Sequence, residues 1–451
     1  MKGKAGRIVK LFATGIFFCG SVMGISGNIS AQDDLILEEL PGLEWEEEQL
    51  EMPESQESSP KNFPATEPTE FLPDLQEEEL PSLPELEDED ELDEFEEKTT
   101  EMDVSEEKEV ELPLPILLPE PEKKWTAEEE SLLARIRRTL RIYRQTSLAT
   151  QENSPSEIML WILPFGCQAE IYRGCREEED RINAIAALCW NIPMGEEVTF
   201  GGNSRQLLPR LGYGIQHTSG QLLATLAIAR VPIDYPFPAA GNERVFRVSD
   251  LVEFEKSRCV AGNDLSSILI GLSYYISPEE TWEANDGEMW NLERIVRNEL
   301  SRKVDAASPE ITSQLLGLIY SLRCLRMRSV DITTGEFARA REYLQTFRQF
   351  AFSLQNEAGC WHPLFFTRKG AEANDFRGML LASGPILQWL VAATPVEELS
   401  DPALQKAVSV VEALLYLHLE YWDPATASPR EIEGVCAALH ALVIYEKRYF
   451  K

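Results

Sequence analysis

The chain has 451 residues and a formal net charge of −35, length enough for two or three average domains. The acidity sits in one segment: residues 32–124 carry 35 Asp and Glu against 5 Lys and Arg, residues 1–31 carry four basic and no acidic side chains, and residues 125–451 hold a net of only −9. No basic stripe stands out, which excludes the phosphate-neutralising surface that nucleic-acid binding depends on.

The N-terminus reads "MKGKAGRIVKLFATGIFFCGSVMGISGNISAQDD". Lys2, Lys4, Arg7 and Lys10 precede an apolar run from Leu11 to Ile25, and Ala31 is a small residue at the cleavage position. That is the order of a signal peptide, so residues 1–31 predict export to the periplasm or cell envelope. The alternative is a membrane tether through residues 11–29, although about 20 apolar residues are normally needed to span. Lipidation at Cys19 is disfavoured by Phe18 before it, and no later run reads as long enough to span. Residues 32–124 are rich in Pro and Glu, as in "LPSLPELEDEDELDEFEE". Like charges repel, and too little apolar surface is available to offset chain entropy, so a disordered acidic linker is expected. It would act as a solubilising tether, or as bait for basic partners or cations. The stretch "ELPLPILLP" is the one part suited to docking on a folded domain.

From Trp125 the texture changes, and residues 125–451 read as one folded domain. Thr126 and Glu129 have capping-box spacing; Leu132, Leu133, Ile136, Leu140 and Tyr143 follow at helical period. Further helices are predicted over about 177–190, 218–229, 249–258, 264–276, 291–303, 309–327, 336–354, 375–393, 402–419 and 430–448. Start signals include Ser249, Asn291 and Ser308-Pro309, and stop signals include Gly201-Gly202 and Gly370. Glu177 to Asp180 suit the positive end of a helix dipole. No alternating strand is convincing, and "EEVTFGG" is too short to count. The class is therefore all-α, with eleven or twelve helices. Some are apolar on most sides ("QLLATLAIA", "SSILIGLSYYI") and others amphipathic ("NLERIVRNELSRK"). A helix apolar all round is surrounded by protein, whereas an amphipathic one faces water. The alternation suits an inner and an outer ring, or an α-solenoid, though no fixed repeat is visible.

Eight cysteines occur, none in a C-x-x-C pair. Cys189, Cys324 and Cys436 have apolar helical surroundings and read as buried small hydrophobes. Cys167 and Cys175 lie in a loop-like stretch and are the disulfide candidates.

The string Gln355-x-x-x-Gly359-x-Trp361, with Phe350 upstream, resembles the QW motif of squalene–hopene cyclases, which share the α/α-toroid fold with protein prenyltransferases. The resemblance implies a structural turn in which Gln satisfies orphan helix-end groups, Gly permits the turn and Trp fills the joint. The D-x-D-D, D-D-x-x-D and D-x-C strings of those enzymes do not occur in residues 125–451, and "GCQAE" at 166–170 departs from a G-C-G-E-Q thioester loop. Residues 205–450 resemble a group of exported bacterial toroid proteins without assigned activity. Their G-x-H-P-G-Q stretch is matched at His217, Gly220 and Gln221, whereas Ser313, Pro385 and Ala437 stand where those relatives tend to carry His.

Candidate site residues follow. His217 could serve as acid or base in a cavity, or stand exposed before a helix cap. Asp264 could be catalytic, but suits an N-cap. Gln221, Trp282 and Trp290 are candidate binding residues, the two Trp as stacking faces for a sugar or lipid, or as a seal for their loop. Cys436 and His440 stand at i, i+4, and Cys360 with His362 could complete a tetrahedral zinc set; neither metal nor cofactor is expected. The reading reached is an exported toroid that binds or scaffolds an unknown ligand or protein. The alternatives are a polysaccharide hydrolase or lyase using cavity carboxylates and His217, a terpenoid cyclase- or prenyltransferase-like enzyme, and a zinc-dependent transferase.

Overall fold

The computed structural model describes residues 124–450, apart from 177–179, 202–206, 239–244, 306–307, 309, 365, 367–368 and 370–375. The leader or tether expected within residues 1–31, and the acidic linker as far as residue 123, lie outside the described residues. What is described is mostly helical.

The chain runs α1 (Ala127–Gln145), α2 (Pro155–Phe165), β1 (Glu170–Tyr172), β2 (Arg181–Asn183), α3 (Ala184–Cys189), α4 (Gln221–Ile228), β3 (Pro236–Phe237), β4 (Phe246–Arg247), α5 (Val248–Ser257), α6 (Ser266–Tyr275), β5 (Trp282–Glu283), β6 (Met289–Trp290), α7 (Leu292–Ser301), α8 (Glu310–Met327), α9 (Gly335–Leu354), α10 (Phe376–Ala393), α11 (Pro402–His418) and α12 (Pro429–Tyr449). The strands form three antiparallel pairs, β1 with β2, β3 with β4 and β5 with β6. Each pair joins an even-numbered helix to the next odd one. The sequence reading allowed no strands, because ladders of two or three residues carry no readable alternation. It also extended one helix over 177–190. The described part of that stretch pairs as β2 over 181–183, and the helix starts only at Ala184, capped by Asn183 Oδ1 accepting from Ala186 N at 3.1 Å. Helix α2 was not foreseen: "PSEIMLWILPF" is apolar on nearly every side, so no 3.6-residue period shows.

The even helices pack in a cycle. Helix α2 lies against α4, α4 against α6, α6 against α8, α8 against α10, α10 against α12, and α12 returns to α2. The odd helices cover them: α5 touches α4 and α6, α7 touches α6 and α8, α9 touches α8 and α10, and α11 touches α10 and α12. Helix α1 joins α11 and α12 at the end of the cycle. The apolar textures belong to the even helices, which protein surrounds, and the amphipathic ones to most of the odd helices, as the physics of burial requires. Helix α10 is long and apolar enough to cross a membrane by length and composition, contrary to the expectation that no later run would be; most of it is buried among its neighbours.

A close seam lies between α10 and α12. A Cβ on Gly384 would stand 2.6 Å from Gly434 O and 3.0 Å from Ala438 Cβ, and a Cβ on Gly434 would overlap Leu381. At Gly384 the nearest atom is backbone, not the end of a flexible side chain. Gly384→Ala is expected to destabilise by about 1–3 kcal/mol, the usual range for overpacking. Denaturant unfolding checks this, and an unchanged midpoint would show that the seam can open.

The Gln355–Trp361 turn follows α9 and ties it by a hydrogen bond to α11. Gln355 Nε2 donates to Gly359 O at 2.9 Å and to Ala403 O, in α11, at 3.1 Å. Gly359 has φ +102°, and a Cβ there would press on Lys406. Trp361 is fully buried; its indole N–H donates to Ala351 O at 2.7 Å, and its backbone N–H to Ser383 Oγ in α10 at 3.0 Å. Phe350 packs on Phe366, which in turn meets Trp389.

Two odd helices reach back to cap even ones. Glu255 of α5 accepts from Ser219 Oγ at 2.7 Å, just before α4. Glu299 of α7 accepts from Leu265 N at 2.8 Å and from Ser266 Oγ at 2.7 Å, at the start of α6. Burial raises both carboxyls above their ordinary range, opposed by these hydrogen bonds and, less or more strongly, by Arg258 or Arg302.

Candidate functional site

The N-termini of α2, α4 and α12 meet at a cavity of about 570 Å³. Each start is built by local sequence. At α2, Glu157 Oε2 accepts from Ser154 N at 2.8 Å, the capping-box bond that "SPSE" encodes. At α12, Ser428 Oγ accepts from Glu431 N at 3.3 Å, and Pro429 occupies the first turn. At α4, Gly220 has φ +84°, and Ile268 of α6 occupies the space a Cβ would need. Gln216 Oε1 accepts from Leu222 N at 2.9 Å, and Gln221 Oε1 accepts from His217 N at 3.0 Å.

Four ionisable groups line the space: Glu157, His217, Arg430 and Glu433. Gln221 and Ser156 add uncharged polar groups, and Leu160, Pro429, Pro363 and Leu364 supply apolar wall. Glu157 is only 7 % exposed, and just one of its carboxylate oxygens has a partner among the described residues. Glu433 has no hydrogen bond among them. Desolvation raises its pKa, and the nearby His217 and Arg430 pull it back down by less. Its side chain still counts as exposed because it forms part of an open concave wall, with protein crowding it from the sides. Three helix N-termini add positive partial charge at the same end.

Of the residues singled out from sequence, His217 and Gln221 come together here. His217 is exposed, its ring 6.1 Å from that of Tyr213. Asp264 stands elsewhere, as a cap: its Oδ1 accepts from Ser266 N at 3.0 Å and pairs with Arg302 at 3.2 Å. Trp282 and Trp290 face each other across β5 and β6, and both are buried. Trp282 donates to Lys256 O at 3.1 Å; Trp290 carries Arg294 on its ring and lines a smaller cleft of about 270 Å³. They do not form an exposed stacking pair. Cys167 and Cys175 do not form a disulfide, and Cys167 Sγ donates to Ala229 O at 2.8 Å. Cys189, Cys324 and Cys436 are buried. Ser313 is exposed, whereas Pro385 and Ala437 are buried. Residues 177–179 lie outside the described residues; Asp180 directly precedes β2.

The zinc set does not assemble. Among the described residues no group of three or more His, Cys, Asp or Glu is placed to hold a metal ion. His440 is spent on α8 and α10: Gln388 Nε2 meets its Nδ1 at 2.7 Å and Tyr320 Oη meets its Nε2 at 3.3 Å. Burial, with Lys447 and Arg323 nearby, lowers its pKa to about 3. The unfolded imidazole titrates near ~6.5. Between those values the unfolded chain takes up a proton that the folded chain refuses, so stability falls as pH falls. His440→Gln is expected to flatten the stability–pH slope between pH 6.5 and 4 by up to about 1.4 kcal/mol per pH unit. Denaturant midpoints for both chains across that range test it, and parallel curves would contradict it.

Glu157, Arg430 and Glu433 were not read from sequence. A signal existed for the first: "SPSEIM" and "SPREIE" both carry Ser-Pro-x-Glu, so two capping boxes could have been aligned. Nothing local says that the two helix starts converge. The chain matches no protein-family model, no curated protein and no solved structure.

Proposed function

We propose that residues 125–451 form an α/α-toroid of an exported protein, and that it is a binding module holding a small ligand at the N-terminal end of its even helices. The cyclic packing of those helices and the Gln355–Trp361 turn support the fold reading. The observation that carries the function is the cavity itself. At about 570 Å³ it falls within the ~300–1,000 Å³ of small-molecule sites, with apolar wall and a few convergent polar groups. Fragment screening on the whole chain, read through the His217 ring resonances, tests the reading. Fragments are expected to shift His217 in the wild type and not in Leu160→Trp, which fills the space. A library that leaves His217 unmoved, or moves it equally in both, counts against the cavity.

One observation favours a second reading, an acid–base hydrolase or lyase. Glu157 and Glu433 line the same cavity, and desolvation favours the protonated form of Glu433. A carboxylic acid and a carboxylate in unequal surroundings are the pairing that such chemistry uses. Turnover lost in Glu433→Gln, with binding retained, would raise this reading above the first.

A further inference from the structure

Tyr213 is 80 % exposed, yet its turn is pinned. Gly212 N donates to Gln216 O at 2.9 Å, Ile215 N to Gly212 O at 3.1 Å, and Ser156 N of α2 to Gly214 O at 3.1 Å. Gly212 and Gly214 both have positive φ, so the turn depends on residues without a Cβ. The result is an aromatic ring held out to solvent 6.1 Å from the ring of His217, which lines the cavity. Inside, both signs are mixed: two carboxylates stand with one guanidinium, one imidazole and the N-termini of three helices. Such a wall does not select a strong cation or anion. It offers both hydrogen-bond donors (Arg430, Gln221, the imidazole) and acceptors (Glu157, Glu433, Gln221). Glu157 adds the more specific feature, a side chain more than nine-tenths buried with one oxygen unengaged at the cavity wall.

We propose that the cavity is a binding site for a neutral oligosaccharide, which lays a sugar ring face on Tyr213 and sets its hydroxyls on Glu157, Gln221 and Glu433. Hydroxyls both give and accept hydrogen bonds, which matches the mixed wall, and the C–H face of a pyranose matches the aromatic one. The apolar residues Leu160 and Leu364 then cover the remaining ring edges. This rests on the binding reading above and narrows it to one ligand class.

The test is calorimetric titration of the full chain with cellotriose, maltotriose and triacetylchitotriose, alongside the His217 ring resonances. At least one sugar is expected to bind and to shift His217. Tyr213→Ala is expected to weaken binding about tenfold, a change of ~1.4 kcal/mol, and Tyr213→Trp to restore it. Because Tyr213 is exposed, unchanged thermal unfolding shows that the loss is not misfolding. Glu433→Gln is expected to weaken the same sugar. If a sugar binds equally well to Tyr213→Ala and Glu433→Gln, the site lies elsewhere and the proposal falls. If no sugar binds but indole shifts His217, the ligand class is wrong and the cavity reading stands. If neither sugar nor indole moves His217, both fall.

Discussion

Trp361→Ala is expected to lower the unfolding free energy by about 3–5 kcal/mol, the range for deleting a buried Trp or Phe from a core. The indole is fully buried, and it bridges three elements: its N–H holds Ala351 O at the end of α9, its backbone holds Ser383 in α10, and the turn it closes holds Ala403 in α11 through Gln355. Truncation removes the apolar contacts and leaves a carbonyl without its donor. Trp361→Phe keeps most of the volume and loses only that hydrogen bond, so it is expected to cost less, about 1–3 kcal/mol. Chemical denaturation of the three chains measures both steps. A Trp361→Ala chain as stable as the wild type would mean that the joint is redundant.

Glu299→Ala is expected to be of similar size, about 3–5 kcal/mol, for a different reason. Removing one partner of a buried ion pair leaves the other uncompensated. Glu299 is fully buried and accepts from Leu265 N and Ser266 Oγ while facing Arg302 at 3.1 Å. Without it, Leu265 N and Ser266 Oγ lose their acceptor at the start of α6, where Asp264 still caps Ser266 N, and Arg302 keeps Asp264 and Ser266 Oγ as partners. Glu299→Gln preserves shape and one acceptor, so it is expected to retain part of the stability. If Ala and Gln behave alike, the charge rather than the hydrogen-bond geometry holds this corner. Thermal unfolding at neutral pH distinguishes the two outcomes.

Much of the helical content was legible because its signals are local. Thr126 with Glu129, Asn291 before α7 and Ser308-Pro309 before α8 each mark a helix start within one turn of chain. Helix α2 was hidden because burial on nearly all sides erases the period that betrays an amphipathic helix. The hairpins were hidden because two paired residues are shorter than any pattern. In the site, His217 and Gln221 were readable as unusual polar residues at an apolar helix start. Glu157 and Glu433 read as ordinary first-turn or surface acids. Their significance arises from a contact between chain segments more than 270 residues apart, seen also where Asn153 Nδ2 donates to Pro424 O. No spacing rule reaches across such a separation.

The return of α12 to α2 has a consequence for how the chain is made. Helix α12, which follows all the other described helices in the chain, supplies the partner that α2 needs. Until α12 is complete, α2 and α10 each present an apolar flank with nothing to cover it. Contacts of this sequence separation are slow to form, because loop closure must come before they repay it. A chain cut ahead of Pro429 therefore loses more than a tail: without α12 the circle stays open, and what emerges is a sticky, protease-sensitive arc rather than a shorter version of the same protein.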